Sequence, residues 1–259
     1  MKIDLYNGDC LEIMDKLIAD GVTVDLTVTS PPYDNLRTYN DTLVWNENIW
    51  KSVLDRLFKI TKDGGVVVWI VNDATIKGSE TGTSFKQALY AKEIGFNLHD
   101  TMIWQKTGNG CLGSNNTYHN IFEYMFIFSK GKPKNINLIK DRENKIFNRK
   151  NNVSCHIGKN GKGRNRTITT NKLGKRNNIW IINQQQKIKH PAPFPRQLAK
   201  DHIISWSNEN DLILDCFMGS GTVGVACKEL NRNFIGIELV EDYFKLAEER
   251  INKPKDTLF

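Results

Sequence analysis

Two short segments of this chain combine residue types that bind and position small molecules. The first, Asp215–Thr222, reads Asp-Cys-Phe-Met-Gly-Ser-Gly-Thr and follows an apolar run. Gly219 and Gly221 would let the backbone approach a charged ligand, and a helix beginning after them would offer free N–H groups. Glu238 ends the next apolar run, where a carboxylate can accept hydrogen bonds from ribose hydroxyls. A glycine-rich turn alone is equally consistent with tight packing of the backbone. No Lys-Ser or Lys-Thr pair follows the glycines, so the turn is not a triphosphate-binding loop.

The second segment, Ser30-Pro31-Pro32-Tyr33, follows an apolar run and could hold a planar base. An exocyclic amine of adenine or cytosine is a poor nucleophile because its lone pair is delocalised into the ring. Acceptors on its two hydrogens, the Ser30 side chain and the Pro31 carbonyl, would favour a pyramidal nitrogen whose lone pair points at an incoming group. The two prolines would stiffen the turn, and Tyr33 could stack on the base for about 1–3 kcal/mol. A Pro-Pro turn with a surface tyrosine is the simpler alternative.

Charge is distributed unevenly along the 259 residues. Residues 130–189 hold 17 Lys or Arg against Asp141 and Glu143, a net charge of +15, whereas the other 199 residues hold 19 basic and 27 acidic residues, a net charge of −8. A basic block in an otherwise acidic chain is typical of a surface that binds a polyanion. The block is also rich in Asn and Gly, so a solvated, partly disordered loop is the alternative. The one-sided charge favours nucleic acid.

Composition argues against several classes of protein. The chain has no run of about 18 apolar residues that could span a membrane, and its first residues lead into a strand without a signal-peptide pattern. Its five cysteines form no Cys-x-x-Cys pair, which argues against a disulfide framework or a zinc site and fits a reducing cytoplasm. The five histidines show no metal-binding spacing, so no metal is expected.

The two motifs need a scaffold that brings them together, and the hydrophobic pattern predicts one. Short apolar runs alternate with segments that have the periodicity of an amphipathic helix, such as residues 50–58. Val66–Val71 is wholly apolar, as strands buried on both faces of a parallel sheet are. The pattern predicts an α/β fold with a mostly parallel seven-stranded sheet and helices on both faces. The predicted strands are Ile3–Tyr6, Val24–Thr29, Val66–Val71, Thr101–Gln105, Phe122–Phe128, Leu212–Leu214 and Phe234–Ile237.

Together the motifs resemble those of the DNA amino-methyltransferases, which methylate cytosine N4 or adenine N6. Asp215–Thr222 resembles the S-adenosylmethionine motif of that family, with Cys216 where proline is commoner, and Thr29–Tyr33 resembles its catalytic motif. The catalytic motif comes first and the basic block lies between the two, as in the β-group of the family. The resemblance covers about residues 1–130 and 186–252. It implies a Rossmann-like S-adenosylmethionine-dependent methyltransferase fold with an inserted target-recognition region.

The resemblance also implies roles for individual residues. The catalytic residues would be Ser30, Pro31, Pro32 and Tyr33. Asp9 would meet the adenine amino group of the cofactor, and His190–Pro195 would close the cofactor site from the other side. The residues implied to bind S-adenosylmethionine are Asp9, Cys10, Asp215, Phe217, Gly219, Ser220, Gly221, Thr222 and Glu238.

The chain would then divide into a catalytic and cofactor-binding domain, residues 1–129 and 190–259, and a basic target-recognition insert, residues 130–189, assisted by the 107–117 loop. A target base in double-stranded DNA must leave the duplex to reach such a site. Trp104, at the end of a predicted strand, could stack on that base, although a tryptophan in a strand is more often part of the core. The residues expected to contact DNA are Lys159, Lys162, Arg164, Arg166, Lys172, Lys175 and Arg176.

Alternative functions follow from the same residues. A serine at the first catalytic position favours cytosine N4 over adenine N6, although the β-group contains both. RNA or a protein glutamine is a more distant substrate, and in glutamine-modifying enzymes the cofactor motif precedes the catalytic one. An inactive DNA-binding module would be expected to lose Ser30, Tyr33 or the glycines. Cytosine C5 methylation needs a Pro-Cys pair, and none of the seven prolines precedes a cysteine.

The expected setting is a bacterial or phage protein of the cytoplasm that acts on double-stranded DNA and has no membrane partner. A cognate restriction endonuclease and a homodimer are both compatible with the sequence.

Overall fold

The computed structural model describes residues 1–33, 45–107, 117–148, 150–155, 164–183 and 195–253, with the backbone alone for 150–155 and 164–168. Over these ranges a sheet of eight strands is flanked by six helices. The strands are β1 (Ile3–Asn7), β2 (Val24–Thr29), β3 (Thr61–Val71), β4 (Asn97–Lys106), β5 (Phe122–Ser129), β6 (Ile179–Ile182), β7 (Leu212–Asp215) and β8 (Asn233–Glu238). The helices are α1 (Cys10–Ala19), α2 (Glu47–Ile60), α3 (Thr83–Glu93), α4 (Arg196–Trp206), α5 (Thr222–Glu229) and α6 (Glu241–Asn252).

The strand order places the ends of four strands side by side. The sheet runs β1-β8-β7-β2-β3-β5-β4-β6, and its pairs are parallel except that β5 is antiparallel to both of its neighbours. Because parallel strands end at one edge of a sheet, the carboxyl ends of β1, β8, β7 and β2 are adjacent there. Ligands of open α/β sheets bind outside this edge. The topology therefore brings the first and the last parts of the chain to one place.

Burial explains why the central strands are apolar throughout. The residues Val66–Val71 of β3 are all buried. On one face of the sheet, α2 packs its apolar stripe, including Trp50, Leu54 and Leu57, into the same core cluster as Trp69. Helices on the faces of a parallel sheet leave its central strands with no polar side, which the sequence pattern indicated. None of the helices in the described ranges is long and apolar enough to cross a membrane.

All seven predicted strands are present, and β6 joins the sheet as an eighth. β6 pairs in parallel with β4, with Ile179 opposite Ile103. The predicted count of seven is one short for two reasons: β6 lies in a basic stretch, and its sequence Ile-Trp-Ile-Ile shows no alternation of apolar and polar residues. In the structure Trp180 is buried, whereas Ile179 and Ile181 are exposed.

The chain divides into two units, residues 1–137 with 178–259 and residues 138–177. The smaller unit is shorter than the predicted insert 130–189, because β6 is part of the main sheet and the Asn137 N–H donates a hydrogen bond to the Ser205 carbonyl at 2.8 Å. Three antiparallel ribbons complete the described secondary structure. In the smaller unit Arg142–Glu143 pairs with Leu173–Gly174 and Lys150–Cys155 with Arg164–Thr169; in the larger unit Thr75–Ile76 pairs with Ser79–Glu80.

Candidate active site

The residues predicted to bind a cofactor and those predicted to be catalytic follow strands that are neighbours in the sheet. Asn7 at the end of β1 is opposite Glu238 at the end of β8. Asp215 ends β7, which lies between β8 and β2. Ser30 follows β2 directly, and Asp9 follows β1. The carboxyl edge of the sheet therefore brings together both sets of residues.

Asp215 anchors the glycine-rich turn from inside the protein. Its Oδ1 accepts a hydrogen bond from the Thr29 hydroxyl at 2.7 Å and another from the Phe217 N–H at 3.2 Å. Burial raises the pKa of the Asp215 carboxyl to about 7; these two hydrogen bonds oppose the rise, and the nearby Glu238 adds to it. Because only 1 % of Asp215 is exposed, its contribution to a ligand site is to hold the shape of the turn.

Glu238 connects the turn to the end of β8. Its Oε2 accepts a hydrogen bond from the Gly219 N–H at 2.7 Å, and its Oε1 accepts one from the Val240 N–H at 2.8 Å. Burial raises the pKa of this carboxyl, while the backbone amides oppose the rise. A carboxylate oxygen has two acceptor positions, so Glu238 can still accept hydrogen bonds from two adjacent hydroxyls.

The two glycines of the turn adopt a left-handed backbone, with φ of 54° at Gly219 and 80° at Gly221. A Cβ atom on Gly221 would lie 2.9 Å from the Cβ of Ala247 in α6. The approach of α6 therefore requires a glycine at this position, and the predicted approach of a ligand to Gly221 stays a prediction. α6 also holds the turn through Arg250, which donates hydrogen bonds to the carbonyl of Ser220 and, at 2.7 Å, to its Oγ.

Asp9 and Cys10 lie where β1 gives way to α1. Asp9 is exposed and caps the helix, because its Oδ1 accepts a hydrogen bond from the Leu11 N–H at 2.6 Å. Burial, together with the neighbouring Asp9 carboxylate, raises the pKa of the Cys10 thiol to about 12. Cys10 is therefore a protonated thiol at neutral pH and serves as a packing residue beside the edge.

Phe217 and Thr222 lie on either side of the glycines. The Phe217 ring is half-buried and meets the Trp45 ring edge to face, with 5.5 Å between the ring centroids. Thr222 is buried at the start of α5. Of these two residues, Phe217 is the one with a surface that a ligand can reach.

The turn predicted to be catalytic is held by the hydroxyl of its tyrosine. Pro31 is buried, and Ser30, Pro32 and Tyr33 are half-buried. Ser30 Oγ lies 3.1 Å from Tyr33 Oη, and Tyr33 Oη donates a hydrogen bond to Glu123 Oε2 at 2.5 Å. The ring is thus fixed at its polar end, and its stacking on a base remains a prediction.

Two residues of this network, Glu123 and Lys106, are not among the site residues that the sequence motifs predict. Glu123 lies near the start of β5 and is 5 % exposed, and Lys106 is the last residue of β4. Lys106 Nζ lies 2.6 Å from Glu123 Oε1. A signal was present, because Glu123 is the one acid in the apolar run Phe122–Ser129, and acids in such runs are buried only with a partner.

Trp104 does not offer a surface for stacking. It is 3 % exposed, and its indole Nε1 donates a hydrogen bond to the Ile182 carbonyl at 3.0 Å. It lies opposite Trp180 of β6 in the parallel pairing. The predicted base-stacking role does not fit this burial, and Trp104 is a core residue under the edge strand β6.

Several residues predicted to contact DNA lie in the smaller unit. Arg164 and Arg166 are on a strand of the ribbon. Arg176 forms an ion pair with Asp141, which lowers the pKa of that carboxyl. Lys172 and Lys175 follow the 164–169 strand. Lys159 and Lys162 lie outside the described residues, as do His190–Phe194 and most of the 107–117 loop.

Within the ranges that the structure describes, no group of three or more His, Cys, Asp or Glu side chains is placed to hold a metal ion. The polar groups at the sheet edge are instead carboxylates, hydroxyls and backbone amides. A Rossmann-like sheet whose carboxyl edge carries acidic residues and a glycine-rich turn beside a Ser-Pro-Pro-Tyr turn is typical of the class of S-adenosylmethionine-dependent amino-methyltransferases.

Comparisons with known proteins give the same class. A family model described as DNA methylase, and named for N6 and N4 methyltransferases, matches residues 24–249. The orphan methyltransferase M.BamHII of Bacillus amyloliquefaciens is 51 % identical over 240 residues, covering 88 % of this chain and 89 % of the relative. The chain belongs to the DNA methylase family and is an S-adenosylmethionine-dependent DNA amino-methyltransferase.

Solved structures agree with this assignment. The structure of the M1.HpyAVI complex with S-adenosylmethionine is 27 % identical, with a TM-score of 0.66, and the match covers 96 % of this chain and 99 % of that one. The cytosine-N4-specific PvuII DNA methyltransferase has a TM-score of 0.69 at 20 % identity, covering 100 % of this chain and 90 % of that one. At that identity the second likeness shows the fold alone.

The donors and acceptors at the sheet edge suit S-adenosylmethionine. The Glu238 carboxylate oxygens could accept hydrogen bonds from ribose hydroxyls, and the exposed Asp9 carboxylate, whose Oδ1 caps α1, could accept one from an amino group. Phe217 provides an apolar ring surface beside them. The site therefore fits the cofactor that its family uses.

Proposed function

We propose that this enzyme methylates the N4 amine of cytosine within a specific sequence of double-stranded DNA. The observation that carries the proposal is Ser30, a small hydroxyl at the first position of the catalytic turn and next to the cofactor edge. A serine at this position favours cytosine N4 in the resemblance described above. Adenine N6 is the alternative, and the same experiment decides between them.

The residues of the turn are suited to binding and orienting an amine. Ser30 Oγ and the Pro31 carbonyl each accept one N–H of the target amino group, which leaves the nitrogen lone pair directed out of the base plane. Positioning of this kind supplies much of the rate enhancement in a displacement reaction. S-adenosylmethionine, when bound, supplies an electrophilic methyl group. The base must leave the duplex to reach these acceptors.

The cofactor residues are assigned by their chemistry. Glu238 accepts hydrogen bonds from the ribose hydroxyls, Asp9 accepts one from the adenine amino group, and Phe217 packs beside the nucleoside. Asp215 and Ser220 hold the turn, and Cys10 contributes packing. The position of each side chain at the carboxyl edge of the sheet supports these roles.

We assign DNA recognition to the basic insert. Asp141 and Glu143 are the only acidic residues in the sequence of this insert. Phosphate contacts by Lys and Arg supply affinity and register on DNA. Arg164, Arg166, Lys172 and Lys175 are the candidates among the described residues, whereas Arg176 already pairs with Asp141.

The setting proposed for this enzyme is the bacterial or phage cytoplasm. The relative that is half identical is called an orphan methyltransferase, which favours a solitary enzyme over one paired with a restriction endonuclease. A homodimer stays a proposal, tested by sedimentation of the purified protein.

The deciding experiment combines purified enzyme, S-adenosylmethionine and unmethylated plasmid DNA, followed by digestion to nucleosides and mass spectrometry. N4-methylcytosine supports the proposal, and N6-methyladenine replaces it with the alternative. If neither methylated nucleoside forms although the enzyme binds the cofactor, the substrate would instead be RNA or protein. Ser30→Ala is expected to bind S-adenosylmethionine normally and to lose most methyl transfer, and full activity in this variant would show that the catalytic site lies elsewhere.

A further inference from the structure

A chain of hydrogen bonds connects the catalytic turn to a buried ion pair. Ser30 Oγ is 3.1 Å from Tyr33 Oη, Tyr33 Oη is 2.5 Å from Glu123 Oε2, and Glu123 Oε1 is 2.6 Å from Lys106 Nζ. The side chains of Lys106 and Glu123 are 12 % and 6 % exposed. Withdrawing two charges from water carries a desolvation cost. Burying this ion pair therefore costs desolvation free energy. The Glu123 carboxylate also accepts a hydrogen bond from the Tyr33 hydroxyl.

The strand pairing explains why these groups meet. β4 and β5 are antiparallel neighbours, with Trp104 opposite Glu123, and the Lys106 N–H donates a hydrogen bond to the Ile121 carbonyl at 2.7 Å. The end of β4 and the start of β5 therefore lie together. Tyr33 reaches this point from the turn after β2.

The ion pair fixes the direction of each hydrogen bond in the chain. A carboxylate can only accept, so the single phenolic hydrogen of Tyr33 points to Glu123. Tyr33 Oη is then an acceptor towards Ser30, and the single hydroxyl hydrogen of Ser30 points to Tyr33. Towards any other group, Ser30 Oγ has lone pairs and no hydrogen to donate.

We propose that Glu123 and Lys106 are positioning residues that keep Ser30 an acceptor towards the target base. The proposal rests on the catalytic role of Ser30 argued above. An exocyclic amine presents N–H donors and matches an acceptor. A carbonyl oxygen at the same place, as on thymine or guanine, would face another acceptor and have no hydrogen-bond partner. A binding site built for a hydrogen-bond donor strongly rejects a base that leaves such polar groups unpaired. The ion pair thus selects an amino group as the target.

The test uses Tyr33→Phe, Glu123→Gln and the double variant. Tyr33→Phe removes one hydroxyl and keeps the ring, and Glu123→Gln replaces a pure acceptor by an amide that also donates. We expect each single variant to lower kcat for methylation of unmethylated plasmid DNA about tenfold or more, the effect of losing a hydrogen bond to a charged group. We expect KM for DNA and for S-adenosylmethionine to change less than about twofold, because the loss falls on the reacting geometry.

The double variant distinguishes a linked role from independent ones. If Glu123 acts through the Tyr33 hydroxyl, the double variant has the kcat of the slower single variant, because both changes break one chain. Losses that multiply would overturn the proposal, as would wild-type kcat in Tyr33→Phe. Should Glu123→Gln fail to fold, Tyr33→Phe alone decides, since it leaves the ion pair in place.

Two controls separate the sources of failure. Tyr90→Phe removes a similar bond, from Tyr90 Oη to Asp55 Oδ1 at 2.9 Å between α3 and α2, and should leave kcat unchanged. Ser30→Ala tests the proposed catalytic site itself. Loss of activity in Ser30→Ala with wild-type kcat in both Tyr33→Phe and Glu123→Gln would keep the site and refute the positioning role, whereas full activity in Ser30→Ala would refute the site.

Discussion

Thr29 and Asp215, 186 residues apart in the sequence, share a buried hydrogen bond of 2.7 Å at the edge of the sheet. Thr29 immediately precedes the turn proposed to be catalytic, and Asp215 opens the turn proposed to bind the cofactor. Under the proposed function, the bond connects the positions at which the base and the methyl donor would be brought together. Its length and burial fix one turn relative to the other.

Replacing Thr29 by valine should disturb both stability and cofactor binding. Valine keeps the shape and removes the hydroxyl, so Asp215 loses a donor in a buried site, and we expect a loss of about 1–3 kcal/mol in the free energy of unfolding. Urea denaturation measures the first effect and calorimetric titration with S-adenosylmethionine the second. Thr29→Ser, which retains the hydroxyl, is the control; equal losses in the two variants would mean that the hydrogen bond is not the cause.

The raised pKa of Asp215 predicts a dependence of stability on pH. In the folded protein this carboxyl keeps its proton up to about pH 7, whereas in the unfolded chain it releases it near pH 4. The folded state binds the extra proton in this window, so stability falls as pH rises from about 4 to 7, by at most about 1.4 kcal/mol per pH unit, and is constant above it. Asp215→Asn should lack this slope. Parallel curves of unfolding free energy for the two proteins would contradict the prediction.

Glu238→Ala should weaken cofactor binding specifically. The carboxylate orders the turn through Gly219 and is assigned to the ribose hydroxyls, so we expect the Kd for S-adenosylmethionine to rise about tenfold or more. The matched control is Glu241→Ala, three residues further on, where an exposed carboxylate pairs with Lys245. Similar Kd values for both variants would remove Glu238 from the cofactor site.

Gly221→Ala should destabilise the protein through packing. The added Cβ would lie 2.9 Å from Ala247 Cβ and 3.1 Å from Ala247 Cα, and φ is 80°. Gly78 has the same φ of 80° with no atom within 4 Å of an added Cβ, so Gly78→Ala measures the backbone strain alone. We expect Gly221→Ala to lose about 1–3 kcal/mol more than Gly78→Ala in urea denaturation. Equal losses in the free energy of unfolding would show that α6 can shift to accommodate the added methyl group without destabilising the protein.

Neutralising Lys162, Arg164 and Arg166 together should weaken DNA binding and flatten its dependence on salt. Each lost phosphate contact reduces the slope of log K against log salt by about one. The control neutralises Lys51, Lys245 and Lys253, each paired with a glutamate one helical turn away. If the first triple variant keeps the wild-type affinity and salt slope, the insert is not the DNA-binding surface.

Part of this protein could be predicted from its sequence because the pattern there is local. A wholly apolar run such as Val66–Val71 has one stable place, the middle of a sheet covered on both faces. The two motifs were recognisable because each is continuous, and the parallel order of strands then required their ends to share an edge. The seven predicted strands and the class of enzyme follow from these features.

Tertiary structure alone decided the rest, since those features depend on which strands and helices become neighbours. Glu123 and Lys106 are 17 residues apart in the sequence, and their ion pair exists only because β4 and β5 align in one register. The pairing of β6 with β4 buries Trp104, and the packing of α6 against Gly221 leaves no room for a side chain there; neither contact is visible in the local sequence. A local pattern predicts the secondary structure of each segment, whereas a contact between distant segments forms only when the strands and helices pack together.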